Sequence, residues 1–165
     1  PGGASALWYA VENSDSEFLR LLIAAGATMN SRDDYRRTPL HHAAECCNIG
    51  IIRTLVEAGA DVKVKDSYGS SMIFYAINNV DLNVLRYYIE AGADLNASEE
   101  EGGHTALDYA KLKKLSDVIF ILEQHGARSG KDIRREQKLK KKLKKSGGET
   151  KAMVQGFFKR WNRLS

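Results

Sequence analysis

A tandem period constrains this chain more than any other feature. Thr38-Pro39-Leu40-His41-His42-Ala43 has echoes at Ser5-Ala6-Leu7-Trp8-Tyr9-Ala10, Ser71-Met72-Ile73-Phe74-Tyr75-Ala76 and Thr105-Ala106-Leu107-Asp108-Tyr109-Ala110. The echoes start at residues 5, 38, 71 and 105, in steps of 33, 33 and 34. A second marker, Gly26-Ala27, Gly59-Ala60, Gly92-Ala93 and Gly126-Ala127, keeps the same steps. Two markers in one register predict a stack of like units, none of which buries its apolar face alone.

Each unit has its own punctuation. Thr38 is placed to cap a first helix, with Pro39 at the first helical position, where a missing N–H costs nothing. Ile49, Ile52, Leu55 and Val56 have the spacing of a second helix. Gly59 falls where that helix ends and a positive φ is cheap. An extended polar finger leads to the next cap.

These phrases, with Ala58-Gly59-Ala60-Asp61-Val62 and Ala91-Gly92-Ala93-Asp94-Leu95-Asn96, resemble the ankyrin repeat over about residues 4–128. The resemblance implies an all-α solenoid of stacked helix-turn-helix units with short hairpin-like fingers. Its units span about 4–34, 35–67, 68–101 and 102–128, the outer two serving as caps. It further implies a non-catalytic protein-binding scaffold whose fingers and first helices line a concave face. By position, the finger residues are Asp34, Tyr35, Arg37, Ser67, Tyr68, Ser70, Glu100, Glu101 and His104. From the first helices come Glu12, Asn13, Glu45, Cys46, Asn78 and Asn79. Tyr35 and Tyr68, 33 residues apart, are rigid aromatics of the kind that anchor interfaces. Tyr9, His42, Tyr75 and Tyr109 form a second ladder, suited either to stacking on a partner or to packing between repeats. Three sites depart from the family pattern. Arg36-Arg37 replaces a glycine-containing turn and predicts a looser finger. Cys47-Asn48 and Val80-Asp81 replace Gly-His between helices. Asn48 tolerates positive φ and Val80 does not, so a different turn is expected in the third repeat.

Little else points to chemistry. His41, His42, Cys46 and Cys47 have metal-ligand character, but zinc wants four ligands and no second pair accompanies them. Phosphate loops, nucleophile elbows and dinucleotide fingerprints are missing from the sequence. The reading is no enzyme, no metal and no cofactor. The two cysteines are adjacent, which favours reduced thiols and an intracellular, cytoplasmic setting. No apolar run reaches membrane-spanning length.

The net charge of +4 conceals a division. Residues 1–130 carry 12 Lys/Arg against 18 Asp/Glu, whereas residues 131–165 carry 13 against 3. Residues 129–145 read as a basic helical or disordered extension whose Arg134-Arg135 and Lys138–Lys145 resemble a nuclear-localisation signal. Residues 146–150 form a Gly linker. Residues 151–165 fit an amphipathic basic helix, with Met153, Val154, Phe157, Phe158, Trp161 and Leu164 on one face. That helix resembles a calmodulin target and reads as a second recognition element. It would dock on a partner, or on the repeats within or between chains, or be a fused peptide ligand. The favoured partner is a protein or peptide. The alternative makes the basic tail the working part, targeting calmodulin, an anionic membrane, the nucleus or nucleic acid.

Overall fold

The computed structural model describes residues 6–46, 48–99 and 103–145, with side chains to residue 141. Residues 1–130 and 131–165 are separate compact units. In the first, helices come in pairs: α1 (Ala6–Glu12) with α2 (Ser16–Ala24), α3 (Pro39–Glu45) with α4 (Ile49–Glu57), α5 (Met72–Asn78) with α6 (Leu82–Glu90), and α7 (Ala106–Leu112) with α8 (Ser116–Gln124). The inner helices stack α1 on α3, α3 on α5 and α5 on α7. The fold is thus an all-α solenoid. Its fingers contribute only single antiparallel bridges, Lys65 with Ser71 and Ser98 with Thr105, among the described residues.

The seven-residue inner helices are too short to persist alone, so caps and stacking stabilise them. Thr38 precedes α3 in extended conformation, with Pro39 in its first turn. The His41 ring turns back so that Nδ1 accepts the Thr38 N–H at 2.9 Å. Asp108 repeats the device at Thr105, accepting its N–H at 3.1 Å. Asp15, Asn48 and Asp81 cap the outer helices α2, α4 and α6 through their side chains. Leu7, Leu40, Ile73 and Leu107, one per repeat, are buried in a continuous core with Ile51, Ile52, Leu55, Val84 and Leu85. Burial of such side chains is worth about 1.5–3 kcal/mol each, and here it accrues only between neighbours.

Three expectations are corrected. Val80 adopts φ 54°, matching Ser14 at 53° and Lys114 at 58° in the corresponding turns. The third-repeat turn therefore keeps the common conformation, and its β-branched residue is accommodated rather than avoided. Asn48 is not the left-handed residue; at φ −84° it is the cap of α4, accepting the Ile51 N–H. The Arg36 finger is not looser either, since Arg36 at φ 59° copies Gly69 at 78° and Gly103 at 60°. At Arg36 the hydrogen bonds to the Asp33 carboxylate outweigh the local preference, and at Val80 the turn is closed by Val80 N–H on the Ile77 carbonyl and Asp81 N–H on the Ala76 carbonyl.

The second unit is described by α9 (Gly130–Lys145), a 16-residue helix that begins at the last residue of the first unit. It is strongly basic, exposes Leu139 and pairs Lys140 with Glu136 one turn apart. Among the described residues no helix is long and apolar enough to cross a membrane.

Candidate functional site: fingertips and inner-helix groove

The fingertips of the second and third repeats are loops pinned by one carboxylate each. Asp33 accepts the Tyr35 N–H at 2.9 Å and the Arg37 N–H at 2.7 Å. Asp66, one repeat later, accepts the Tyr68 N–H at 2.8 Å and the Ser70 N–H at 2.9 Å. This lashing holds Arg36 and Gly69 in the same turn and projects the intervening tyrosines. Tyr35 is 53% and Tyr68 64% exposed. The fingers are tied to each other where Ser67 N–H donates to the Tyr35 carbonyl at 2.8 Å. Burial alone would raise the Asp33 carboxyl, but the Arg37 and Tyr35 N–H groups with the Arg37 guanidinium hold it below the usual carboxylate range.

The second ladder divides. Tyr9 is 63% exposed, while His42, Tyr75 and Tyr109 are half-buried between repeats. Tyr75 lies edge-on to the His41 ring at 5.5 Å and donates its hydroxyl to Asp66 at 2.9 Å. Burial and that carboxylate push its phenol well above the ordinary value. Tyr109 donates to Asn78 Oδ1 at 2.6 Å, and Lys113 donates to the same oxygen at 2.8 Å. Asn79 Nδ2 donates to the Ala44 and Glu45 carbonyls at 3.0 and 3.4 Å, stapling the third repeat to the second. Tyr75, Tyr109, Asn78 and Asn79 are thus partly spent on holding the groove together.

Across the first two repeats the groove holds an open cavity of about 400 Å³, with Trp8, Tyr9, Glu12, Arg37, His42 and Glu45 in its lining. Trp8 and His42 face one another with ring centroids 5.6 Å apart. Arg37 binds Asp33 at 2.8 Å and Glu45 at 3.3 Å, and its guanidinium carbon lies 6.0 Å from the centre of the Trp8 ring and 5.3 Å from that of Tyr35. Cys46, exposed at the end of α3, has its thiol pushed up by burial of the sulfur and by Glu45 and Glu12, so it stays protonated.

Of the remaining residues expected here, Asp34, Ser67 and His104 are exposed and Ser70 is half-buried, its hydroxyl donating to Glu99 at 3.4 Å. Glu100, Glu101 and the six apolar residues of the 151–165 segment lie outside the described residues. Trp8 and the two finger carboxylates were missed by sequence reasoning. Asp33 and Asp66 had a usable signal in their 33-residue spacing. Trp8 stands where the other units have His41, Phe74 and Asp108. Nothing in the sequence says that this position faces the groove in the first repeat.

Two family models match the chain. One described as ankyrin repeats (3 copies) covers residues 1–66, and one described as ankyrin repeats (many copies) covers residues 68–110. No curated protein matches.

Proposed function

The chain belongs to the ankyrin-repeat family, whose repeats are generally protein–protein interaction modules, and on that premise we propose a non-catalytic adaptor that holds a partner segment on its concave face. One observation carries the reading. Tyr35 and Tyr68 are exposed, yet their loops are fixed by Asp33, Asp66 and the Ser67–Tyr35 hydrogen bond. An aromatic side chain on an already ordered loop loses little entropy on binding, which separates an anchor from an incidental surface ring. Ser67, Ser70, Asp34 and His104 supply polar groups around these anchors.

Residues 151–165 act as a second recognition element, with Phe158 and Trp161 inserted into a partner. Their amphipathic pattern supports this part of the proposal.

The test is capture from a cell extract by the full chain, quantified against a Tyr35→Ala/Tyr68→Ala variant. Proteins retained by the wild type should drop at least tenfold with the variant. An unchanged retained set refutes the finger-based reading. Phe158→Asp with Trp161→Asp should deplete a different subset.

A second reading rests on α9, whose residues 131–145 hold nine Lys/Arg against two acidic residues. That density suits an anionic membrane, the nucleus or a nucleic acid, with the repeats as passenger. Salt-sensitive retention on heparin that ignores the tyrosine substitutions would favour it.

A further inference from the structure

We propose, resting on the concave-face reading above, that the groove across the first two repeats accepts an arginine side chain from a peptide segment of a partner protein. Three groups of observations carry this. The lining joins aromatic rings to carboxylates: Trp8, Tyr9 and His42 beside Glu12 and Glu45. Aromatic faces attract guanidinium and carboxylates pair with it, whereas an aliphatic or acidic side chain gains from only one or neither.

The second observation is that the protein's own guanidinium already uses this chemistry. Arg37 sits against the Trp8 ring and reaches Glu45. Its hold on that carboxylate is loose. One nitrogen, Nη1, serves both Glu45 oxygens at 3.3 and 3.5 Å, while Nε binds Asp33 at 2.8 Å. His42 Nδ1 also lies 3.4 Å from Glu45 Oε2, but good charge-assisted pairs are about 2.7–2.9 Å, so Glu45 keeps acceptor capacity for a closer partner. The Glu12 residue is exposed, and its side chain makes no hydrogen bond or ion pair among the described residues. With Arg37 neutralised by Asp33, the groove keeps the charge of two carboxylates, complementary to a basic segment.

Thirdly, Trp8 is 8% exposed, and its indole Nε1–H is buried without a partner among the described residues. A buried donor without an acceptor is costly. A peptide carbonyl following the arginine into the groove would relieve it once Arg37 yields its place.

Only two tryptophans occur, so Trp161→Phe in the full chain leaves Trp8 as the sole indole reporter. The probe is the heptapeptide GGRARGG, titrated at low salt, with GGQAQGG as its uncharged counterpart. The expected result is a saturable change in Trp8 emission with the arginine peptide and none with the glutamine peptide. Glu12→Gln with Glu45→Gln should weaken binding at least tenfold. Arg37→Gln should tighten it several-fold by removing the internal competitor, while Arg86→Gln, an equal charge change on α6, should stay within twofold.

A flat titration of the full chain overturns the proposal, including the case in which this chain's own basic residues already fill the groove. Equal effects of Arg37→Gln and Arg86→Gln also overturn it, because the groove would then be only an anionic surface. If circular dichroism shows Arg37→Gln unfolded, the glutamate pair alone decides. Flat peptide titrations with tyrosine-dependent capture intact remove the arginine assignment alone. Loss of tyrosine dependence removes the broader reading.

Discussion

Val80 gives the sharpest check on the backbone argument. It is a β-branched residue at φ 54°, and its side chain is half exposed. A Cβ in the left-handed region costs about 1–2 kcal/mol. Glycine removes that cost but adds about 0.5–1 kcal/mol of backbone entropy relative to alanine. Val80→Gly should therefore be more stable than Val80→Ala by about 0.5–1 kcal/mol. Both variants lack the valine methyl groups, so whatever packing those methyls supply cancels when the two are compared with each other. Urea unfolding of the full chain, followed by circular dichroism and linear extrapolation, measures the difference. The same pair of substitutions at Lys114, at φ 58°, should give the same increment, because the effect belongs to the turn and not to the residue. If alanine equals or exceeds glycine at both sites, the strain assigned to these turns is absent and the reasoning fails.

Three further outcomes follow from side chains inside the stack. Burial, reinforced by Arg32 and Arg37 and opposed by Asp66, lowers the His41 pKa from 6.5 to about 4. The unfolded chain then binds more protons between those values, so this stability is complete above about pH 6.5 and drains as the pH falls toward 4. The loss is about 3 kcal/mol, and His41→Asn should flatten that part of the stability–pH curve even where it lowers stability at neutral pH. Asn79→Ala removes the staple to the Ala44 carbonyl and should cost about 1 kcal/mol, detectable as faster amide exchange at α5 without loss of helicity in α8. Burial would raise the Asp108 carboxyl, yet the Gly130 N–H at 2.7 Å and Thr105 hold it below the usual range. Asp108→Ala should cost about 1–2 kcal/mol, with the last repeat exchanging its amides first.

The sequence carried the fold because the repeat is redundant. Four copies of the cap, the apolar spacing and the glycine made the helix pairs legible at Thr38, Ile52 and Gly59. The same redundancy explains the errors at Arg36 and Val80. Local preference argued against positive φ there, but each unit repeats the bonds that fix the turn, Asp33 lashing the Arg36 loop as Asp66 lashes that of Gly69, and Asp81 N–H closing on the Ala76 carbonyl as Asp15 N–H does on that of Ala10. The groove was legible only as a set of positions. That Tyr75 is committed to Asp66, while Tyr9 at the equivalent position stays open, depends on the finger that precedes each helix. For Tyr75 that finger is built from residues nine places upstream. For Trp8, the approach of Arg37 from the next repeat depends on stacking distance, which no single-sequence pattern encodes.

The joints between repeats also differ. Asn30 bridges the Gly59 carbonyl and the Asp61 N–H, and Asn96 accepts the Arg128 N–H at 2.8 Å. The intervening position is Lys63, whose side chain makes no such bridge among the described residues. That joint is fastened instead by Asn79 on the Ala44 carbonyl, by Lys65 Nζ donating to the Ser98 carbonyl at 3.0 Å, and by the Tyr75 ring against His41. Each seam of the stack thus carries a different fastening, so a single substitution can loosen one joint and leave its neighbours engaged.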